Sequence, residues 1–372
     1  MSAPPTDRLE VDVGPADAGA RSTSPFGELV PLLVLAVSYC LAGYAVEAAF
    51  DLPGRMRNVW FEGTYLVYPT LVLLSFPFAF AAHRWSIRDR EGGWIPGLAG
   101  WKAAWSGEGV RFITPSRVVG VVIVAALTPF FLSTYGSWKS MIPDLQPFGW
   151  DAWISNLDRV LHLGRLPHEW LQPVLGQAPV TRTIDVLYIL WLPVNGAVIV
   201  WQGWSTRLGL RAQFFVTYFL VYILLGTALA TALSAGGPCY YGDLVGPQNP
   251  YAPLMNYLGR LSAEQPIIAL RVQETLWRNY TEGLNLPFVG ISAMPSVHVA
   301  VAVLFAILGW RTSRWLGWAF TAYAMVILVG SVHLGWHYAA DGYVSVLLVP
   351  VLWVVTGHLL HNRAHRLLRS RE

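Results

Sequence analysis

Eight runs of mainly apolar residues, separated by polar stretches, recur along the 372-residue chain. A helix needs about 20 apolar residues to cross a bilayer, and continuous apolar runs disfavour an alternating membrane β-barrel. We therefore predict an all-α, polytopic integral membrane helical bundle with about eight transmembrane helices. The predicted spans are residues 29–50, 64–82, 117–136, 184–202, 213–234, 295–310, 315–334 and 339–360.

The composition supports a membrane protein over the alternative of a soluble protein with a very large core. Only 13% of the residues are charged and 54% are hydrophobic, with a mean hydropathy of +0.45. Soluble domains carry about 25% charged residues. The two cysteines, Cys40 and Cys239, provide neither a disulfide framework nor a metal-binding spacing.

The placement of basic residues predicts the orientation in the membrane. With eight spans, sixteen of the 25 Lys and Arg residues fall on the side that holds both termini. The positive-inside rule then puts both termini in the cytoplasm, and we expect the plasma membrane as the location. His298 and His337 accordingly approach the extracytoplasmic face. This ordinary distribution of charge gives no support to nucleic-acid binding.

This predicted membrane topology divides the chain into four parts. Residues 1–26 are rich in Pro, Ala, Ser and Asp, which predicts a disordered cytoplasmic tail. Residues 27–116 hold two accessory transmembrane helices and a basic cytoplasmic loop. Residues 117–362 form a six-helix membrane domain, and residues 363–372 form a basic cytoplasmic tail.

Two long connections are expected outside the membrane. The first, residues 137–182, contains Trp138, Trp150, Trp153 and Trp170, which suit the headgroup layer. In the second connection, residues 262–265 (Ser-Ala-Glu-Gln) match a capping box. They predict the start of an amphipathic helix that lies in the membrane interface.

Ionisable residues near the ends of the last spans are the strongest candidates for a functional site, because such residues are costly at membrane depth. If residues 333–341 are helical, His333, His337 and Asp341 share one face. Asp341 then accepts a hydrogen bond from one ring nitrogen of His337. The other nitrogen is left free to attack phosphorus.

His298 follows a Pro-Ser pair typical of the first turn of a helix. Free backbone N–H groups at a helix N-terminus favour a phosphate, and the Ser296 hydroxyl adds a donor. A histidine beside the bound phosphate can protonate the leaving oxygen as a general acid. Two histidines, one of them oriented by a carboxylate, suffice for a double displacement through a phosphohistidine.

Two other interpretations compete with this one. Either histidine alone is also typical of a hydrogen bond between helices. His333 and His337 have the i, i+4 spacing of zinc-binding helices, but the residues between them supply no general base. We therefore predict no metal and no cofactor, and we regard His333 as more consistent with a supporting role than with a catalytic one.

The two clusters resemble the motifs of one superfamily. Residues 294–298 (Met-Pro-Ser-Val-His) are similar to the Pro-Ser-x-His motif of the type-2 phosphatidic acid phosphatases, and residues 337–341 (His-Tyr-Ala-Ala-Asp) to their His-x-x-x-Asp motif. The bulky residue before the first histidine and the His-Tyr pair resemble the branch that contains fungal inositol phosphorylceramide synthase. The resemblance spans about residues 117–360.

The resemblance implies a six-helix, phosphatase-like catalytic core and a metal-free mechanism. It implies that His337 is the nucleophile, that His298 is the general acid, and that Asp341 orients His337. The chain departs from the phosphatase pattern, because Gly330-Ser331 replaces a Ser-Arg pair and the Lys-x6-Arg-Pro motif is not intact. The candidates for binding substrate phosphate are Ser296, Lys139, Arg182 and His333.

A site with few arginines fits a phosphodiester better than a dianionic phosphomonoester, which benefits from bidentate guanidinium groups. The sequence thus predicts a membrane-embedded phosphotransferase that moves a phosphoryl or phospho-alcohol headgroup from a lipid-linked donor to a hydroxyl acceptor. One alternative is a lipid phosphatase or diphosphatase that hydrolyses a phospholipid or polyprenyl phosphate. Another is a non-catalytic membrane protein or transporter. The oligomeric state does not follow from the sequence.

Overall fold

The computed structural model describes residues 27, 29–56, 64–88, 112–284 and 290–369. Side chains in the second and last helices are described for residues 66–81 and up to residue 362. The predicted tail over residues 1–26 and most of the predicted basic loop lie outside the described residues.

Helices make up the fold, and the described ranges contain no strand. We number the helices in chain order. They are α1 (Leu29–Ala49), α2 (Thr64–Arg88), α3 (Pro115–Leu145), α4 (Asp151–Leu161), α5 (Pro167–Leu175), α6 (Ala178–Trp204), α7 (Leu208–Ala232), α8 (Ala252–Glu264), α9 (Ile268–Glu282), α10 (Val297–Thr312), α11 (Arg314–His333) and α12 (Ala339–Arg369).

Each of the eight predicted spans coincides with one of these helices. Six of them, α1, α3, α6, α7, α11 and the Ala339–Asn362 part of α12, are long and apolar enough to cross a membrane. The other two predicted spans correspond to shorter apolar helices, Leu66–Ala81 and Val297–Thr312. The chain is therefore an integral membrane protein with an all-helical fold. The predicted C-terminal tail begins inside α12, which continues to Arg369.

Helix α3 extends well past its predicted end at residue 136. Trp138, Met141 and Ile142 continue its buried face as far as Leu145. Trp138 stacks on Tyr39 of α1 with ring centroids 5.7 Å apart, and its Nε1–H donates to the Tyr39 carbonyl at 3.1 Å. The assignment of Trp138 to the headgroup layer is wrong, because its indole is buried between two helices and its N–H is already paired.

The predicted capping box at residues 262–265 is also wrong. Ser262 lies in the last turn of α8, and the next helix, α9, begins at Ile268. Its first N–H groups are capped by a distant side chain, because Asp185 accepts from Ile268 N at 2.7 Å and from Ala269 N at 2.9 Å. A helix end needs such acceptors, but a local sequence window does not show which ones it uses.

The C-terminal helices form the part of the bundle that carries the candidate site. Helix α10 packs against α11 and α12, and α11 packs against α6. The N-terminal ends of α10 and α12 are joined directly: Ser296 N donates to the Asp341 carbonyl at 3.2 Å, and Ser345 Oγ donates to the Ser296 carbonyl at 2.8 Å. These bonds bring the two histidine motifs to the same end of the bundle.

Candidate active site

His298 lies in the first turn of α10. Ser296 is the N-cap residue, fully buried, and its Oγ accepts the N–H of Val299 at 3.4 Å. The predicted helix N-terminus is thus present, although the Ser296 oxygen is engaged in capping it. Whether Ser296 also donates to a phosphate stays a prediction.

His337 lies in a turn between two helices, so the assumption of one continuous helix over residues 333–341 is wrong. Helix α11 ends at His333, and Gly335 adopts a left-handed φ of +73°. Glycine favours this conformation because it has no Cβ, and it commonly follows a helix C-terminus. His333 and His337 consequently do not share a helical face.

The Nδ1 atom of His337 has two acceptors. The backbone carbonyl of Ala293 lies 2.7 Å away, and Asp341 Oδ2 lies 3.3 Å away. A carbonyl oxygen can only accept a hydrogen bond, so Nδ1 must carry the proton. In the neutral ring, Nε2 then holds the lone pair that a nucleophile needs.

Asp341 contributes to this arrangement from the first turn of α12. Its side chain is fully buried, and Oδ2 also accepts the Tyr338 N–H at 2.9 Å. Tyr338 is the N-cap residue of α12 and Asp341 is its third residue, N3. In a capping box the N3 side chain accepts the N–H of the N-cap residue, as Asp341 does here. The carboxylate therefore caps α12 and contacts the His337 ring at the same time.

The imidazole rings of His298 and His337 are neighbours. Their centroids are 6.3 Å apart, with 57° between the ring planes. Aromatic residues line the side of His298, since Trp191 lies 4.4 Å away and Tyr188 lies 5.3 Å away between centroids. Reacting atoms come within about 3–3.5 Å of the attacking group. Both rings can therefore reach one phosphoryl group.

Lys139 is the predicted phosphate ligand that the structure brings near the His298 ring. It lies close enough to His298 to act on it electrostatically. Within the described part of the chain its ammonium group forms no ion pair. The backbone at Gly290 packs against the main chain of Lys139, since a Cβ on that glycine would lie 2.7 Å from the Lys139 carbonyl oxygen. A half-buried ammonium group in this position is suited to an anionic substrate.

The other two predicted ligands have protein partners. Arg182 faces Glu264 at the end of α8, with 3.5 Å between nitrogen and oxygen. His333 is fully buried, and its Nε2 lies 2.9 Å from the Thr181 hydroxyl. Both interactions occupy the side chains in contacts between helices, and a role for either in phosphate binding stays a prediction.

Two aspartates on α4 were missed by the sequence analysis. Asp151 and Asp158 are buried together with Ile154 and Ser155, at i, i+3, i+4 and i+7. Burial raises the pKa of the Asp158 carboxyl, and hydrogen bonds from the Ala339 and Ala340 N–H groups oppose that rise. The available signal was the pattern itself, in which carboxylates occupy the face that an amphipathic helix turns inward. Such buried charges require partners.

The comparison with protein families covers most of this region. A family model described as the PAP2 superfamily matches residues 152–355, more than half of the chain, so the chain belongs to that superfamily. The match contains His298, His337 and Asp341. The superfamily comprises membrane phosphatases and phosphotransferases. No curated protein and no solved structure matches the chain.

Proposed function

We propose that this protein is a membrane-embedded phosphotransferase that moves a phosphoryl or phospho-alcohol headgroup between a lipid-linked donor and an acceptor through a phosphohistidine. The observation that carries the proposal is the pair of imidazoles 6.3 Å apart, with Nδ1 of His337 held against the Ala293 carbonyl at 2.7 Å. One ring presents a lone pair and the other is within reach of the same phosphorus centre.

In the first step, Nε2 of His337 attacks the phosphorus of the donor. The bond from phosphorus to the leaving oxygen breaks, and His298 donates a proton to that oxygen. In the second step, His298 takes the proton from an acceptor hydroxyl while its oxygen attacks the phosphohistidine. His337 is released as the neutral ring, and His298 is again protonated.

The charge of the site supports a monoanionic substrate. Lys139 is a cation near His298, and Arg182 is engaged with Glu264. A phosphodiester carries one negative charge and needs less cationic stabilisation than a phosphomonoester. This supports a phospholipid or polyprenyl phosphodiester donor with a hydroxyl acceptor. His333 and Ser296 support the site through their hydrogen bonds to Thr181 and to the Val299 N–H.

Two finer parts of the proposal rest on sequence. The His-Tyr-x-x-Asp motif and the bulky Val297 support a relationship to the branch that contains fungal inositol phosphorylceramide synthase. The excess of basic residues on one side supports cytoplasmic termini and a site that faces the extracytoplasmic leaflet of the plasma membrane.

Transfer and hydrolysis can be separated directly. Purified protein in nanodiscs, supplied with phosphate-labelled phospholipids and candidate hydroxyl acceptors in the presence of EDTA, is expected to move label onto the acceptor. Release of inorganic phosphate from a monoester lipid, or of the free phospho-alcohol from a diester, in place of transfer would support the alternative of hydrolysis. If neither product forms with any donor, a non-catalytic membrane protein becomes the better interpretation. Turnover in EDTA also tests the prediction of metal-independent chemistry.

The Asp341→Asn variant should lose only part of the activity. In a Ser-His-Asp triad, where the carboxylate fixes the tautomer, the same change costs about 10⁴-fold in kcat. Here the Ala293 carbonyl remains against Nδ1 at 2.7 Å, so we expect a loss of about 10²-fold. Steady-state kinetics of the two enzymes provide the measurement. A loss as large as that of a nucleophile variant would mean that Asp341 alone controls the ring.

A further inference from the structure

Helix α4 presents two carboxylates to the residues around His337, and neither belongs to the catalytic motifs. Asp151 accepts from Gly236 N at 3.0 Å and from Gly237 N at 2.8 Å. Its Oδ1 also accepts the Tyr338 hydroxyl at 2.7 Å. The first of these carboxylates therefore joins the loop after α7 to the residue that follows His337.

The second carboxylate binds the start of α12. The Oδ2 atom of Asp158 accepts from Ala339 N at 2.8 Å, and Oδ1 accepts from Ala340 N at 2.8 Å. These are the first two N–H groups of α12, which have no acceptor within the helix. Asp158 is 1% exposed and Asp151 is 2% exposed, so water cannot replace the lost bonds if either carboxylate is removed.

The two carboxylates act on one short segment. They are seven residues apart on a helix, so they lie on the same face, about 10 Å apart along its axis. Asp151 is bound to Tyr338, and Asp158 is bound to Ala339 and Ala340. The loop held by Asp151 also packs closely against Trp336, the residue before His337, because a Cβ on Gly237 would lie 2.6 Å from the Trp336 carbonyl oxygen.

We propose that Asp151 and Asp158 are positioning residues that fix the His337 segment on α4, and so fix the distance between His337 and His298. Neither carboxylate contacts the reacting atoms, so the effect on turnover rests on the function proposed above. Displacing a reacting group by about 1 Å can cost about 10²-fold in rate. Neither carboxylate bonds to Lys139, the proposed phosphate ligand, so kcat should fall while KM for the donor changes little.

The chain offers a matched control for this role. Asp185 is also a buried carboxylate that accepts two consecutive backbone N–H groups at a helix start, from Ile268 and Ala269. Those residues begin α9, whereas the residues bound by Asp158 follow His337. Replacing either aspartate with asparagine removes the charge and turns an NH₂ group toward one of the two N–H donors. The Asp158→Asn and Asp185→Asn variants therefore lose the same type of hydrogen bond to a helix N-terminus, the first at α12 and the second at α9.

The test compares wild type, Asp158→Asn, Asp151→Asn and Asp185→Asn in nanodiscs, by hydrogen exchange of the peptide covering residues 334–345 and by steady-state kinetics. We expect Asp158→Asn and Asp151→Asn to exchange faster in that peptide, and kcat to fall about ten- to a hundredfold with KM within about threefold. Asp185→Asn should show a comparable loss of thermal stability with faster exchange at the start of α9, and with kcat near that of wild type.

The outcomes separate the two proposals. Equal kcat losses in Asp158→Asn and Asp185→Asn, or unchanged exchange of residues 334–345 in the α4 variants, would overturn the positioning role. If the wild-type protein transfers no phosphate, the proposed function fails. The exchange measurement still decides whether these carboxylates hold the His337 segment, because it does not depend on turnover.

Discussion

Phosphoryl transfer is expected to be lost when His337 is replaced by alanine. The imidazole of His337 is the group whose Nε2 is left free by the bond from Nδ1 to the Ala293 carbonyl. Removing a nucleophile eliminates the covalent route, and losses of about 10⁶-fold in kcat are known for such changes in other enzymes. We expect a fall of at least about 10⁴-fold, measured with labelled donor under single-turnover conditions.

The covalent intermediate provides a second measurement on the same variant. Brief incubation of wild-type protein with labelled donor, without acceptor, should leave an acid-labile label on the protein that is absent from His337→Ala. His358 is a suitable control, because it is an exposed histidine on α12, away from His337, whose Nδ1 bonds to the Val354 carbonyl. His358→Ala should keep both label and turnover. Normal turnover of His337→Ala would require a different nucleophile.

Loss of His298 should produce a defect that depends on the leaving group. A general acid contributes about 10²–10⁴-fold, and most of that contribution is needed when the departing oxygen is a poor leaving group such as an aliphatic alkoxide. With a lipid alcohol as leaving group, His298→Gln should therefore lose about 10²–10⁴-fold in kcat. With a nitrophenyl phosphodiester the loss in the first step, measured as the pre-steady-state release of nitrophenolate, should be much smaller, since nitrophenolate departs without a proton. The second step still needs His298 as the general base, so the two substrates are compared by the rate of the first step.

The comparison between the two histidines makes this assignment testable. His337→Ala should lose activity with both leaving groups, because both reactions need the nucleophile. An equal loss of the first-step rate with both leaving groups in His298→Gln would argue against proton donation, and would favour a role for His298 in binding the substrate. His168→Gln is a control, since His168 is a buried histidine of α5 whose ring packs against Tyr251, the residue before α8, and not against the His298 or His337 ring.

The fold was largely predictable because crossing a bilayer imposes a simple rule on the sequence. A spanning helix must satisfy its backbone internally and present apolar side chains over about 20 residues, and both requirements are visible in the hydrophobic pattern. One error in the predicted fold occurred where α3 continues past the predicted end of its span at residue 136. Trp138 belongs to such an extension, because its indole is buried against α1 rather than placed among headgroups.

The candidate site was predictable where side chains carry the chemistry. The residue types and spacing of His298, His337 and Asp341 suggested two rings and a carboxylate meeting at one end of the bundle, and the rings lie 6.3 Å apart. The roles of these residues stay predictions. The turn at Gly335 was overlooked because a helical continuation also places His337 and Asp341 close together, although the observed contact comes from a helix cap.

The partners that hold the site were not predictable by the same route. The Ala293 carbonyl is a main-chain atom, and every residue type provides one, so no sequence signal marks it. Asp151 and Asp158 lie more than 170 residues before the segment that they bind, as Asp185 lies far before α9. Contacts of this kind depend on tertiary packing, which a local pattern does not contain.

The bond from His337 to the Ala293 carbonyl also determines which isomer the proposed phosphohistidine would be. Because the proton is retained on Nδ1, phosphorus can join only the remote nitrogen, giving 3-phosphohistidine and never the 1-phospho isomer. Phosphorus NMR spectra distinguish the two phosphohistidine isomers. Since the acceptor belongs to the peptide backbone, substitutions at position 293 that preserve the chain path should leave this regiochemistry unchanged.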